Sequence, residues 1–455
     1  MRWLLGIFLF TFGCANRSYV PGQYLNKVSK NQVASQISNQ QTVIVFLIDG
    51  LTYTILSEQQ AKNNLPQIKR FFSKGAHPIV KAHTTFPSVT FTNIAGLLQE
   101  KPVHLTGAVG NKLIFKNRLV DFESIKDRAY FSEMIAGKSI FTRLNQDQLF
   151  TVSLDYGLGT EATVASGFDF QSGYAASQLD YNYLDRKKLD SLHLLLTETK
   201  PTDWPQFIFV HLVGLDFISH RFGPDSKEAM NYLLQLDFNL QSIFSVLRKA
   251  ETAKSVITLL TSDHGFNRRP SQFFNIEAAI KKLNPNVRTL NESRYAGLFF
   301  LAEPSVDDLN NISRQLLQLP GTEIVAYKNQ NSVVIKNKKN EIRFTVENVN
   351  KCPEASVGVV FQGIGPMCSD RLPLELQNKF YPFFIENMTS YFKAEKSADV
   401  VVIPRDDTHF SPSGRGFHGG PSADEVIVPV LVRNALFSVQ GEVVPSWKLL
   451  QFIGR

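Results

Sequence analysis

The chain has 455 residues, 43% of them hydrophobic and 20% charged, with a net charge of +7 and a pI near 9.1. These proportions exclude a disordered or fibrous protein, and the length allows a large domain plus a smaller one. Lys and Arg are dispersed, and "KNKKN" (336–340) reads as a polar hairpin turn, so no specific nucleic-acid binding is expected.

In chain order, "MRWLLGIFLFTFGC" opens with an early Arg and an apolar run from Trp3 to Phe12, followed by Gly13 and Cys14. This reads as an export signal, too short to span a bilayer as a mature helix. The small residue before Cys14 resembles a bacterial lipoprotein signal, although Thr11 stands where Leu is preferred. The expectation is therefore a signal region over 1–14, a lipidated Cys14 anchoring the chain to a membrane, and a periplasmic or outer-membrane location. Residues 15–40, rich in Ser, Asn and Gln, read as a tether. The two remaining cysteines, Cys352 and Cys368, are expected to pair in an oxidising compartment. No other run reaches about 18 apolar residues, so nothing else is expected to cross a membrane.

"TVIVFLIDG" (42–50) is an unbroken apolar run stopped by Asp-Gly, the pattern of a strand buried on both faces. Similar runs follow at 149–157, 206–216, 255–265 and 398–404. A last run at 424–433 carries a Pro that suits an edge or irregular end. The clearest helical pattern, 225–250, starts with Asp225 and Glu228 at capping-box spacing. Strand alternating with helix predicts an α/β fold with a doubly wound, mostly parallel sheet flanked by helices. The stretch 268–397 breaks the rhythm, with a helical piece near 306–318 and the short strands "EIVAYK", "SVVIK" and "EIRFTV". It is read as an inserted α+β cap between two parts of one catalytic domain, 41–267 and 398–455.

Chemistry in an open parallel sheet collects at the carboxyl ends of its strands. Asp49 closes the first run, Asp216 closes "VHLVGLD", and Asp263-His264 closes "VITLLTSDH". Asp216 and His220 are four apart and would share one helical face. His418 lies in the glycine-rich loop "GFHGGP" before the last strand. Each has a bland reading alone, as a turn, a cap or a loop histidine. Three Asp and three His directed at one crevice are harder to dismiss. Oxygen and imidazole donors in that ratio suit two divalent ions, Zn²⁺ first and Mn²⁺ second. Such a pair can clamp both oxygens of a phosphoryl displacement.

These motifs resemble the alkaline phosphatase superfamily, and within it the nucleotide pyrophosphatase/phosphodiesterase (type I phosphodiesterase) family. The likeness runs from residue 42 to about 433 outside the cap. It rests on "TFTN" from Thr90, "GAVGN" with Gly107 and Asn111, "DFISHRFGP", "SDHG" and "HGGP". It implies Thr90 as nucleophile and Asn93 as a residue holding the phosphoryl oxygen that becomes negative. It also implies one ion on Asp49, Thr90, Asp263 and His264, and another on Asp216, His220 and His418. Thr85 is the rival nucleophile, but the offset to Gly107 and Asn111 fits only Thr90. The chain departs from the family at Thr92, in place of Pro, and at Val89, in place of Lys. The expected activity is phosphodiester hydrolysis through a covalent phosphothreonine, on a nucleotide, lipid-headgroup or sugar-phosphate ester. A phosphomonoesterase or phosphoalcohol transferase with the same site is the alternative. Among the other histidines, His104 and His409 are candidates for the mouth of the site, and Asp155 and Tyr156 for substrate contact.

Overall fold

The computed structural model describes residues 41–453 apart from 74–79, 116–117, 125, 136–137, 156, 167–169, 253–254, 348–351, 354–355, 362–363 and 435–442. The signal region, Cys14, the tether, His77 and Tyr156 lie outside the described residues.

Four strands and three helices position the site. They are β1 (Thr42–Ile48), β2 (Phe207–Leu212), β3 (Val256–Thr261) and β4 (Ile427–Arg433), with α1 (Thr90–Gln99), α2 (Gly214–Phe222) and α3 (Lys227–Ala250). They belong to an eight-stranded sheet that runs Val443–Pro445, Val80–His83, β4, β3, β1, β2, Thr151–Leu154, Val164–Ala165. The five strands from β3 to Val164–Ala165 are mutually parallel, and β4 is antiparallel to both neighbours. The sheet is therefore mixed, with a parallel centre.

Period-two alternation sends Ile44, Phe46 and Ile48 of β1 to one face and Val45 and Leu47 to the other. Helices cover both faces, so both sets lose their water. That is why the run is apolar without interruption. On the first face, Leu233, Leu236, Leu240, Phe244 and Leu247 of α3 repeat at helical spacing against Phe46 and Phe71, with Phe71 and Phe244 stacked 4.1 Å apart.

Capping of α3 differs from the expectation. Ser226, not Asp225, is the N-cap and accepts the Ala229 N–H at 3.1 Å. Asp225 instead pairs with Arg268 at 2.7 Å. Two adjacent polar residues compete for one cap, and the ion pair draws the longer-reaching carboxylate away.

A second eight-stranded sheet, wholly antiparallel, runs Val287–Asn291, Ala296–Phe300, Val400–Pro404, Thr322–Asn329, Ser332–Lys336, Glu341–Glu347, Gly358–Phe361, Ile364–Cys368. The run 398–404 was expected in the parallel sheet. Its strand Val400–Pro404 instead lies inside this one, because a strand covered on both faces is apolar throughout whichever sheet receives it. The helix Val306–Gln318 and the hairpin around Asn337 form as expected, with Lys336 opposite Glu341 and Asn337 Oδ1 accepting from Asn340 N at 2.7 Å. Cys352 and Cys368 are disulfide-bonded. One apolar cluster joins the second face of the first sheet to Ala326, Ile335, Val401 and Ile403 of the second.

The strand β4, read from the sequence as the last run, is not an edge. Residues 427–430 of β4 pair only with Val80–His83, and 431–433 pair only with β3. Pro429 falls where one side carries no ladder, which an interior strand otherwise forbids. No helix among the described residues is long and apolar enough to cross a membrane.

Candidate active site

Asp49 follows the last residue of β1, and its N–H donates to Leu212 O at 2.9 Å, tying it to the end of β2. Asp263 and His264 follow β3 and are buried. Ser262 Oγ donates to His264 O at 2.6 Å and accepts the Leu51 N–H at 2.9 Å, locking that turn against the one after β1. Asp216 and His220 lie on α2 at i and i+4. The start of α2 is held from below by Asp185, which accepts from Gly214 N at 2.6 Å and from Val213 N at 3.0 Å. Asp216 thus sits in the first turn of a helix, four residues past the strand that was expected to end with it.

Two ligand sets result. Asp49, Asp263 and His264 present donor atoms within 4.8 Å of one another, and so do Asp216, His220 and His418. The sets adjoin, since the His264 and His418 rings stack at 3.8 Å. The six acid and imidazole residues predicted as metal ligands are brought together, with the seventh, Thr90, beside them.

The imidazoles share one arrangement. His264 Nδ1 meets Gly265 O at 3.1 Å, His220 Nδ1 meets Gly416 O at 2.9 Å, and His418 Nδ1 meets Ser88 O at 3.0 Å. A carbonyl only accepts, so each Nδ1 carries a proton and each ring turns its Nε2 inward. There His220 Nε2 and His418 Nε2 stand 3.0 Å apart. Among the described residues no hydrogen-bond donor reaches Asp49 Oδ1, Asp216 Oδ1 or Asp263 Oδ2, all buried. Burial, followed by the charges of Asp263 and Asp216, pushes the Asp49 carboxyl well above its ordinary range. Burial likewise raises Asp216. Burial, with His264 and His220 beside it, drives His418 down. Imidazole Nε2 atoms and buried carboxylate oxygens converge there, with His264 Nε2 3.3 Å from Asp49 Oδ1 and His220 Nε2 3.4 Å from Asp216 Oδ1, a donor set that fits divalent cations.

Thr90 is the first residue of α1, and its Oγ1 lies 3.2 Å from His264 Nε2. The hydroxyl is half-buried and stands at a helix N-terminus, where backbone N–H groups favour an anion. Thr85 is buried, and its N–H is used by Asn93 Oδ1 at 2.8 Å.

The structure corrects Asn93. Its amide donates to Val89 O at 3.1 Å and Pro87 O at 3.2 Å, while its oxygen takes the Thr85 N–H. Side chains three residues past a helix start turn toward the preceding loop, so the Asn93 amide is spent bracing the segment before Thr90. Asn111 reaches the helix start instead, accepting the Phe91 N–H at 3.1 Å. Gly107, left-handed at φ 73°, ends a short helix and turns the chain toward it. The signal was its offset from Thr90, noted without a role.

The loop carrying His418 is bound to the same place. Ser88 Oγ donates to Gly420 O at 2.6 Å, and Gly419 N donates back to Ser88 Oγ at 3.2 Å. A Cβ at Gly416 would come within 2.2 Å of Ser219 O, so only glycine lets this loop approach α2 closely enough for its carbonyl to meet His220.

His211, inside β2 and outside every recognised motif, bridges Asp49 Oδ2 at 3.0 Å and Asp155 Oδ2 at 3.3 Å. Burial opposes its charge, but Asp155 and Asp49 pull its pKa up to about 10. Asp155 therefore supports His211 and is not a surface for substrate. Nothing in the local pattern separates this histidine from a core residue. Replacing His211 with Gln is expected to free Asp49 and weaken metal binding by about 10–100-fold, read by titrating metal into chelator-stripped protein. Unchanged affinity would remove His211 from the support of the site. His104 is bound to Ser390 Oγ at 2.9 Å, and His409 stacks on Phe417 at 3.8 Å, so neither joins the ligands.

Residues 43–416 match the family described as type I phosphodiesterase / nucleotide pyrophosphatase. GPI ethanolamine phosphate transferase 2 of Yarrowia lipolytica is 25% identical over 279 residues, covering 58% of this chain and 29% of that protein. The chain spans less than a third of the first two curated relatives it matches, 9% and 29%. In fold it is similar to human ectonucleotide pyrophosphatase / phosphodiesterase 5 (TM-score 0.59, 14% identity, 90% of this chain and 93% of that one). It is also similar to phosphonoacetate hydrolase from Sinorhizobium meliloti 1021 (TM-score 0.58, 14% identity, 90% and 94%). The chain therefore belongs to the type I phosphodiesterase / nucleotide pyrophosphatase family.

Proposed function

We propose that this protein is an exported phosphodiesterase that works through a covalent phosphothreonine on Thr90. The observation that carries the reading is the Thr90 hydroxyl at a helix start, 3.2 Å from His264 Nε2, beside two adjoining acid–imidazole sets. Asp49, Thr90, Asp263 and His264 would hold one divalent ion, and Asp216, His220 and His418 a second. Bound there, Zn²⁺ or Mn²⁺ supplies the Lewis acidity that makes a hydroxyl nucleophilic at neutral pH and relieves charge on a departing oxygen. Thr90 Oγ1 attacks phosphorus as the ester's leaving oxygen departs, and water then cleaves the Thr90–phosphorus bond and restores the hydroxyl. The N-terminus of α1 presents backbone N–H groups to the phosphoryl oxygens. The export signal and lipidated Cys14 would hold the site at a bacterial membrane surface, facing the periplasm or the exterior.

A second reading is transfer of a phosphoalcohol to a lipid or glycan acceptor. It is favoured by the likeness to a GPI ethanolamine phosphate transferase over more than half of this chain. It differs only in which alcohol or water resolves the covalent intermediate. Assay of bis-p-nitrophenyl phosphate against p-nitrophenyl phosphate, with and without chelator and with metal analysis, tests the proposal. The expected result is diester turnover that chelation abolishes and Zn²⁺ or Mn²⁺ restores. Turnover indifferent to chelation, or confined to the monoester, would overturn it.

A further inference from the structure

One wall of the site is formed by an amide with a carboxylate behind it. Asn111 accepts the Phe91 N–H on Oδ1 and donates from Nδ2 to Glu123 Oε1 at 3.0 Å. Glu123 is exposed, yet only one carboxamide separates it from the first turn of the helix that begins with Thr90.

No basic side chain flanks the nucleophile. Val89 and Phe91, on either side of Thr90, are apolar and buried. Lys112, beside Asn111, is shared. Its backbone N–H donates to Glu292 Oε1 at 2.7 Å, and its ammonium is held against burial by Glu292, Glu123 and Asp121. The wall next to Thr90 thus has a carboxylate, and the Lys112 ammonium near it is shared with Glu292, Asp121 and Glu277.

We propose that Glu123 is the specificity-determining residue of this site, selecting singly charged phosphodiesters over doubly charged phosphomonoesters. The inference rests on the phosphodiesterase reading and extends it to substrate class. A monoester phosphate carries close to two charges at neutral pH and a diester one. A fixed carboxylate therefore opposes the monoester by one additional charge–charge interaction. At a separation of one side chain in a partly solvated cleft, that is worth about tenfold, or roughly 1.4 kcal/mol. The hydrogen bond to Asn111 keeps the charge in place when substrate enters.

The test uses Glu123→Gln, which retains an acceptor for Asn111 Nδ2 and removes only charge. The expected result is an approximately tenfold rise in the monoester-to-diester ratio of kcat/KM, measured with p-nitrophenyl phosphate and bis-p-nitrophenyl phosphate. The rise should appear mainly as a lower KM for the monoester and shrink toward the wild-type ratio in high salt, as a Coulombic effect must. Glu123→Ala removes the acceptor as well; it should slow both reactions by releasing Asn111 while still raising the ratio. An unmoved or falling ratio in both variants, with wild-type diester turnover intact, overturns the proposal and spares the phosphodiesterase reading. Wild-type protein that turns over neither ester overturns both.

Discussion

Thr90→Ala protein is expected to bind the same two ions as wild type and to lose roughly 10⁴-fold or more in kcat for diester hydrolysis. The substitution removes one half-buried hydroxyl from the first position of α1, where alanine suits the helix. All six acid and imidazole ligands remain, and only His264 loses a partner, the one at 3.2 Å. Metal stoichiometry and thermal stability should therefore stay near wild type while turnover disappears. Thr90→Ser keeps the hydroxyl and should retain measurable activity, with the phosphoryl group, still esterified to the substrate's second alcohol, trapped on residue 90 and detectable by mass spectrometry after an acid quench. Activity of Thr90→Ala within tenfold of wild type would exclude Thr90 as nucleophile and return attention to a water molecule acting directly.

Chelator-stripped protein is expected to be less stable than the metal-loaded form and to lose further stability as pH rises above about 7. Burial, the largest cause, pushes Glu292 and Glu386 up to about 8 and raises Asp49 and Asp216 as well. A carboxyl whose folded pKa exceeds its unfolded value holds a proton in the native state that the unfolded chain has already released. Stability therefore falls as pH climbs through the raised value. His211, pulled up to about 10, acts in the same direction above its ordinary pKa. His83, lowered by burial to about 3, and His418, also lowered, act the other way, but only below the ordinary histidine value of 6.5. From pH about 7 to 9 the acids therefore dominate, and the melting temperature of stripped protein should drop by several degrees. Bound ions favour the ionised carboxylates of Asp49 and Asp216, so the loaded form should fall less steeply. Ions at about a thousand times their Kd add about 4 kcal/mol per site, enough to separate the two forms by roughly ten degrees. Coincident calorimetric transitions with and without chelator at every pH would sink the two-ion reading. Stripped protein that gains stability from pH about 7 to 9 would contradict the burial of these acids.

The local pattern of the chain sufficed for the parallel centre of the first sheet, because a strand covered on both faces has no polar position to disguise it. It sufficed also to single out Asp49, Asp216, Asp263 and His264, because each follows an apolar run and polar groups there must meet a partner, and the fold brings them into two adjoining groups. It did not suffice for the sheet that Val400–Pro404 joins, since burial on both faces looks the same in parallel and antiparallel ladders. Asn93 lies near Thr90 in the chain and shares its helical face, but its amide is taken up by the backbone of Thr85, Pro87 and Val89, which the local pattern does not record.

What the amino-acid order determined was the periodicity of burial and the positions where it is broken by acids, imidazoles and a hydroxyl. Only the tertiary structure decided which polar groups support the others. The Asp155–His211–Asp49 chain, the Asn111–Glu123 pair and the Ser88 link to the His418 loop join residues separated by 56 and 162, by 12, and by 330 positions. Hydrogen bonds act over about 3 Å whatever the contour length between partners, so no local pattern records them until the sheet closes and brings the strand ends together.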